Sequence, residues 1–217
     1  MDETLRAVIL LLIGWGVGII SALLNDWLQT RREKRKTQAE REKEIRHRLV
    51  GDLIQTSEVM TYIESARERG EEPDLSRANL ASVDLRYKNL QQVKFYRANL
   101  DGADLNGAIF TGADLSKASL KDAKLYGAQM QRVNLLGAKL IEARMKEADL
   151  TAANLERASL EKAYLKSAIL RGADLHEANL ATADLTEADM SGANLENAIL
   201  TDTVLTGAIM PDGTVHS

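Results

Sequence analysis

From residue 75 onward, the chain repeats one pattern of apolar and polar positions every five residues. A large apolar residue stands at every fifth position from Leu75 to Met210, and a small residue, usually alanine, stands two positions before it. In an α-helix a step of five residues turns the chain by about 140°, which would scatter the leucines over all sides. In an extended segment, positions two apart share a face, so alanine and leucine point inward together. The spacing therefore predicts short strands that are joined by corners and wind around one core.

Glycine marks the corners of this predicted coil. Each glycine between 74 and 210 lies two residues after a central apolar residue, as Gly102 and Gly172 do. The third residue of a type II turn needs a positive φ, which glycine adopts at the lowest cost. We expect type II turns at these corners, and type I-like geometry at corners without glycine, such as those at Lys117 and Glu142.

The repeated unit A-(D/N)-L-x-x, as in Ala98-Asn99-Leu100, resembles the pentapeptide-repeat family over about 73–210. The resemblance implies an all-β solenoid, a right-handed quadrilateral β-helix with four repeats per coil. The 28 repeats would then form about seven coils over 71–210, followed by a tail at 211–217. Leucine and alanine fill the inside of every coil, so no ligand channel remains. Function must lie on the outer faces or at the ends.

The N-terminal segment 1–27 is predicted to be a transmembrane anchor. Residues 7–24 carry no charge, and as a helix they would be about 27 Å long, close to the thickness of the bilayer core. The residues before them include Asp2 and Glu3 rather than a basic n-region, which favours a retained anchor over a cleaved signal.

Basic residues follow this segment directly, beginning with Arg31 and Arg32. Because positive charge stays on the cytoplasmic side, we expect a single-pass protein with its N-terminus outside and the β-helix in the cytoplasm. The family resemblance implies a bacterial inner membrane. Gly14 and Gly18 form a G-x-x-x-G motif, which is typical of self-associating membrane helices but also of ordinary membrane helices that tolerate glycine.

Residues 28–70 are predicted to be a charged helical spacer that ends as an N-terminal cap. The segment is rich in charged residues and free of proline, and it reads as one long helix from about Trp27 to Arg69, ended by Gly70. Its second half has an apolar stripe, which a partner helix or the open end of the first coil would bury. We expect 45–69 to cap the first coil through that stripe: Ile45, Leu49, Leu53, Met60 and Ile63.

The sequence shows no pattern of catalytic chemistry. It has no cysteine, which excludes disulfides and cysteine-ligated metals, and its three histidines are far apart without metal-ligand spacing (His47, His176 and His216). Every glycine of the repeats is explained by a corner, so no phosphate-binding loop is left. We expect a protein that is not an enzyme and has no catalytic, metal or cofactor site.

Residues twenty apart should stack on one face of a four-sided coil, and one such face is basic and aromatic. Tyrosine and arginine are typical of protein interfaces, and the cations suit an anionic partner. A solvated ladder, in which the tyrosines only pack on their neighbours, is the alternative interpretation. The candidate interaction patch consists of Lys124, Tyr126, Arg144, Lys146, Tyr164 and Lys166.

The C-terminal end of the rod is acidic and apolar. Residues 171–217 contain eight acidic residues and one basic residue, Arg171. Apolar residues also occupy outward positions that elsewhere hold aspartate or asparagine. We expect end-to-end pairing, as in a homodimer, or a partner cap there, with capping by the tail as the alternative. The candidate end-association residues are Ile199, Val204, Ile209 and Met210.

These patterns favour a membrane-tethered protein-interaction or scaffolding module that contacts the lipid bilayer and an unidentified protein. The resemblance also implies an alternative, because some family members mimic DNA and bind gyrase. Mimicry needs acidity along the whole rod, whereas here it is confined to 171–217. Regulation of a DNA enzyme therefore stays an alternative, together with a passive structural spacer, and nucleic acid is not an expected partner.

Overall fold

A four-sided β-helix is the main feature of this computed structural model, which describes residues 29–30, 32–33 and 55–217. The residue before each central residue forms a parallel bridge with the residue twenty positions later, from Asp74 with Lys94 to Asp189 with Ile209. A repeat of twenty residues means that four pentapeptides complete each coil. Each strand is reduced to one bridge, and corners of two residues join the strands. The predicted four-sided coil is therefore confirmed.

The interior of the β-helix is filled with side chains. Every central residue from Leu75 to Met190 exposes at most 1% of its surface, and the alanines that precede these residues are equally buried. The two phenylalanines of the core, Phe95 and Phe110, pack edge to face with ring centroids 5.9 Å apart. Backbone hydrogen bonds join the coils, as from the Leu135 N–H to the Asn154 carbonyl at 2.7 Å.

The corners all share one backbone geometry, so the prediction of type I-like corners without glycine is wrong. Gly102 has φ of +66°, and Lys117 and Glu142 have nearly the same values, +56° and +58°. One reason is the stacking of coils, because in every coil before the last the N–H of this corner residue donates to a carbonyl of the next coil. The Lys117 N–H reaches the Leu136 carbonyl at 2.9 Å. A corner of another type would break this bond, and that cost outweighs the roughly 1–2 kcal/mol of a left-handed residue.

Ala152→Gly should stabilise the protein, since Ala152 is an exposed corner residue with φ of +56°. Glycine removes the left-handed penalty, and the greater entropy of its unfolded chain offsets part of this gain, leaving about 0.5–1 kcal/mol. Ala181, one residue earlier in its corner, is not among the residues with positive φ. Ala181→Gly should therefore destabilise the protein by about 0.5–1 kcal/mol. Thermal unfolding of both variants tests the pair, and equal effects would contradict this explanation of the corners.

Helix α1 spans Thr56–Glu68 and precedes the first coil. It begins after Gln55, whose backbone is extended with φ of −78° and ψ of 149°. The prediction of one unbroken helix from about Trp27 to Arg69 is therefore wrong at this residue. The Gln55 N–H donates to the Glu58 carboxylate at 3.4 Å, and this contact supports the start of α1.

The end of α1 is a Schellman motif around Gly70, which has φ of +73°. The Gly70 N–H donates to the Arg67 carbonyl at 2.9 Å, and the Glu71 N–H donates to the Ala66 carbonyl at 3.0 Å. The assignment of Gly70 as the residue that ends the helix is confirmed.

One face of α1 is buried against the first coil. Tyr62 donates its hydroxyl to the Asp74 carbonyl at 3.2 Å, and Arg67 donates to the carbonyls of Asn89 and Gln91 at 3.1 and 3.0 Å. Of the predicted stripe, Ile63 is buried and Met60 is half-buried, while Ile45, Leu49 and Leu53 lie outside the described residues. The residues that α1 buries follow the helical period: Val59, Tyr62, Ile63 and Ala66.

The predicted anchor at 7–24, with Gly14 and Gly18, lies outside the described residues, as does His47. Residues 29–30 and 32–33 are helical and belong to a unit of their own, Met1–Arg46. Within 29–30, 32–33 and 55–217, no helix has both the length and the apolar character needed to cross a membrane.

Candidate interaction surface

Three coils of the β-helix bring the predicted patch together on one outer face. Lys124 bridges Arg144, and Arg144 bridges Tyr164, so these side chains form one ladder with neighbours in adjacent coils. They point outward because the residues on either side of each point into the core. Tyr126, Lys146 and Lys166 occupy the corner positions two residues later, in the same three coils. We call the surface formed by this ladder and its corners the Arg144 face.

The three lysines of the Arg144 face each lie beside a carboxylate. Lys124 lies beside Asp104, which belongs to the same ladder in the preceding coil. Lys146 and Lys166 lie beside glutamates that occupy the second residue of a corner. Sequence reasoning missed the glutamates because it compared only columns of identical position. The pairs are Lys124 with Asp104 at 3.5 Å, Lys146 with Glu147 at 3.4 Å, and Lys166 with Glu187 at 3.8 Å. The positive charge of the lysines is therefore compensated locally.

Tyr126 is held in place by its neighbours. Its hydroxyl donates to the Glu147 carboxylate at 2.7 Å, and the Lys146 ammonium lies 5.9 Å from the centre of its ring. The hydrogen bond lowers the pKa of Glu147 and raises the pKa of the Tyr126 hydroxyl. The ring is half exposed, so it presents a fixed aromatic surface to solvent.

Arg144 differs from the lysines, because its side chain has no ion pair or hydrogen bond within 55–217. Tyr164 lies next to it in the ladder, is 52% exposed, and makes no hydroxyl hydrogen bond to the described residues. A shallow depression of about 410 Å³ lies between them and is lined by Tyr126, Arg144, Lys146 and Tyr164. One cation that has no partner in the described part of the chain thus lies between two half-exposed tyrosines.

A third tyrosine on this side of the rod was missed by sequence reasoning. Tyr87 is 77% exposed, and a Cβ added to Gly107 would lie 2.5 Å from its ring. The ring therefore lies directly over Gly107. The sequence signal that could have located this ring is Gly107 itself, which lies twenty residues after Tyr87 and has no side chain in the space that the ring occupies.

The sequence model of the family described as Pentapeptide repeats matches this chain in overlapping segments. They are residues 74–112, 98–135, 108–146, 143–180 and 178–212, which include the whole Arg144 face. The chain belongs to the pentapeptide-repeat family. Pentapeptide-repeat proteins form right-handed β-helices and are in general structural or interaction modules rather than enzymes.

Solved pentapeptide-repeat structures are similar to this chain. HetL, involved in heterocyst differentiation regulation in the cyanobacterium Nostoc, is 36% identical over 67% of this chain and 76% of its own, with a TM-score of 0.45. Rfr23 from the cyanobacterium Cyanothece is 24% identical over 74% and 99%, with a TM-score of 0.27. QnrB1, a plasmid-mediated fluoroquinolone resistance protein, is 19% identical over 63% and 77%, with a TM-score of 0.25. No curated protein matches the sequence.

The last coil of the pentapeptide repeats is less buried than the others. Its central residues Leu195, Leu200, Leu205 and Met210 are partly exposed, whereas the equivalent residues of every earlier coil are buried. The outward side chains of Ile199 and Val204 are 48% and 47% exposed. The structure therefore places these apolar residues on one exposed end.

The tail covers one side of this end. Ile209 pairs with Val215 in an antiparallel bridge, and the His216 N–H donates to the Ala208 carbonyl at 2.8 Å. In the described part of the chain, the N–H groups of Leu195, Leu200 and Leu205 have no hydrogen-bond partner. Three of the four sides of the last coil thus keep open strand edges.

The two described histidines are not close enough to share a site. His176 lies 3.9 Å from the carboxylate of Glu177, its neighbour in sequence, and His216 belongs to the tail. No group of three histidine, aspartate or glutamate side chains within 29–30, 32–33 and 55–217 is arranged to hold a metal ion.

Proposed function

We propose that this pentapeptide-repeat protein is a membrane-tethered interaction module that presents the Arg144 face to a protein partner. The observation that carries the proposal is the position of Arg144, an exposed guanidinium that lies between two half-exposed tyrosines and has no ion pair with residues 55–217. Arginine and tyrosine are enriched among the residues that contribute most to protein interfaces. The filled interior of the rod leaves the outer faces and the ends as the surfaces available for binding.

The proposed tether is the uncharged segment 7–24, followed by the basic residues that begin at Arg31. Its length and flanking charge are those of a single-pass helix with the repeats on the cytoplasmic side. In this proposal the membrane, for a bacterial protein the inner one, fixes the location of the rod, and the Arg144 face selects the partner. Residues 28–70 would link the two.

Cross-linking mass spectrometry on native membranes tests the Arg144 face. Replacing its four cations with glutamine should remove the cross-linked partner: Lys124, Arg144, Lys146 and Lys166. A matched control removes four exposed cations elsewhere on the rod and should leave the partner unchanged: Lys117, Lys121, Arg132 and Lys139. Loss of the partner in both variants, or in neither, would contradict a role for this face.

Extraction of membranes with alkaline carbonate tests the tether. The full chain should stay in the membrane pellet, and a chain that lacks 1–27 should be found in the supernatant. Release of the full chain by carbonate would show that 7–24 does not span the bilayer.

Association through the C-terminal end is a further expectation, carried by the exposed Ile199 and Val204. In detergent, the molar mass of the full chain from light scattering should be lowered by the double change Ile199→Lys and Val204→Lys, since charges oppose burial of the end. Ile169→Lys is the control, because Ile169 is also outward and 36% exposed but lies in the middle of the rod. The double change Gly14→Leu and Gly18→Leu, measured in the same way, distinguishes association through the predicted membrane helix from association through the C-terminal end. An unchanged mass in the end variant would contradict end association.

A further inference from the structure

We infer that the Arg144 face binds a single carboxylate on a short acidic segment of the partner protein, with Arg144 as the anchoring group. This inference rests on the proposed function, and it specifies the chemistry of the partner. It excludes a long polyanion such as a nucleic acid as the intended occupant.

The balance of charge on the face supports one anion. Each lysine already has a carboxylate within 4 Å, namely Asp104, Glu147 or Glu187. Only Arg144, among the four cations of the patch, has no such partner in the described residues. Binding to a polyanion depends on several cations that each neutralise one phosphate, and here one cation is available for that role.

Acidic residues limit the length of the basic window. The ladder that holds Arg144 continues to Asp104 on one side of Lys124 and to Asp184 on the other side of Tyr164. These two aspartates are four coil steps apart, or about 19 Å at the ordinary strand spacing. A polyanion that lay along the rod would meet the Asp184 carboxylate at one end of this window and the Lys124–Asp104 ion pair at the other. A short segment that crosses the rod would not.

The side chains at the centre of the window suit a carboxylate. A guanidinium binds a carboxylate through two parallel hydrogen bonds, and one positive charge matches one negative charge. Tyr164, the bridge partner of Arg144, lines the same depression, and its hydroxyl has no partner among the described residues and can serve as a second donor. A phosphate dianion would bring a second charge that no other free cation of the patch compensates.

The walls of the depression suit a side chain of a protein segment. The Tyr126 ring is fixed by Glu147 and Lys146 on one side, and the Tyr164 ring lies on the other. The volume of about 410 Å³ is enough for an acidic side chain and the apolar atoms beside it. The two rings cover part of the ion pair and reduce its contact with water, which strengthens it.

A titration of the full chain in detergent micelles tests this chemistry with a capped pentapeptide, Ala-Ala-Glu-Ala-Ala, and its glutamine twin. NMR signals of the Arg144 guanidinium and the Tyr164 ring should shift with the glutamate peptide and not with the glutamine peptide. Arg144→Gln should abolish the shift of Tyr164, and Arg144→Lys should weaken binding about tenfold because the two-bond geometry is lost. Lys139→Gln, on another face of the rod, is the matched control and should bind like the original chain. All three variants change exposed side chains, and circular dichroism checks that they remain folded.

A DNA hexanucleotide is the competing probe, because it is a polyanion that carries no carboxylate. The inference is overturned if the oligonucleotide binds more tightly than the peptide, or if Lys139→Gln weakens peptide binding as much as Arg144→Gln does. It is equally overturned if the two peptides give the same shifts.

The cross-linking experiment on native membranes separates this inference from the proposed function. If the fourfold variant loses the partner but Arg144→Gln alone keeps it, the face is an interface and the single-carboxylate chemistry is wrong. If the fourfold variant keeps the partner, the proposed function itself fails.

Discussion

Leu135→Asp is expected to unfold the β-helix. Leu135 is completely buried at the centre of the fourth coil, and its N–H is bonded to the next coil. Aspartate there loses the buried leucine and places a carboxylate in an interior without polar partners. We expect a loss of at least about 4 kcal/mol in the free energy of unfolding. Urea unfolding of the full chain, followed by circular dichroism, measures it.

Leu136→Asp is the matched control, because it makes the same chemical change one residue later. Leu136 lies at the corner and is half-buried, so its replacement should cost much less. Equal losses at the two positions would contradict a dry, filled interior. Coils depend on their neighbours for stability, so the damage at Leu135 should spread to adjacent coils.

Ile63→Asp should open the N-terminal end of the rod. Ile63 is completely buried between α1 and the first coil, next to Val59 and Tyr62. A carboxylate there should detach α1 and cost about 3–5 kcal/mol, since a large apolar side chain is lost and a charge replaces it. The leucines of the first coil would then face water.

Hydrogen exchange shows which part of the rod is opened by Ile63→Asp. Amides of the first coil, such as the Leu80 N–H, should lose protection, while those of the middle coils, such as the Leu135 N–H, keep it. Thr61→Asp is the control, because Thr61 is exposed on the same helix and should change little. Uniform loss of protection, or no loss in the first coil, would contradict the role of α1 as a cap.

The short strands and corners of the coil could be predicted from the sequence, because the residues that the coil buries recur every five positions. The inward alanine and leucine positions predicted short strands joined by corners, the family resemblance implied four repeats per coil, and the bridges twenty residues apart confirm both. The corners at Lys117 and Glu142 were predicted wrongly for a physical reason. Their conformation is set by hydrogen bonds to neighbouring coils, whereas local propensity favours a different turn.

The helix before the coils could also be predicted only in part. Apolar spacing predicted burial of Ile63, but the break at Gln55 depends on local backbone geometry that a charged, proline-free sequence does not reveal. Tyr62 was also missed, since its hydroxyl is satisfied only by the Asp74 carbonyl of the first coil.

The Arg144 face was only partly predictable. Stacking of residues twenty apart places Lys124, Arg144 and Tyr164 side by side, as the ladder shows. Which cations are compensated depends on contacts between different columns, such as Lys146 with Glu147. Sequence reasoning therefore identified a basic surface, and only the structure reduces it to one free guanidinium.

Photo-cross-linking from the Arg144 face tests the central claim most directly. The full chain, in native membranes, would carry p-benzoylphenylalanine in place of Tyr164 or, as the control, in place of Lys139, which is exposed on another face of the rod. We predict a cross-linked protein partner from position 164 that is absent from position 139 and is lost when Arg144→Gln is added. A partner captured equally from both positions would contradict the assignment of this face as the binding surface, and one that persists in the Arg144→Gln background would contradict the role of Arg144 as its anchor.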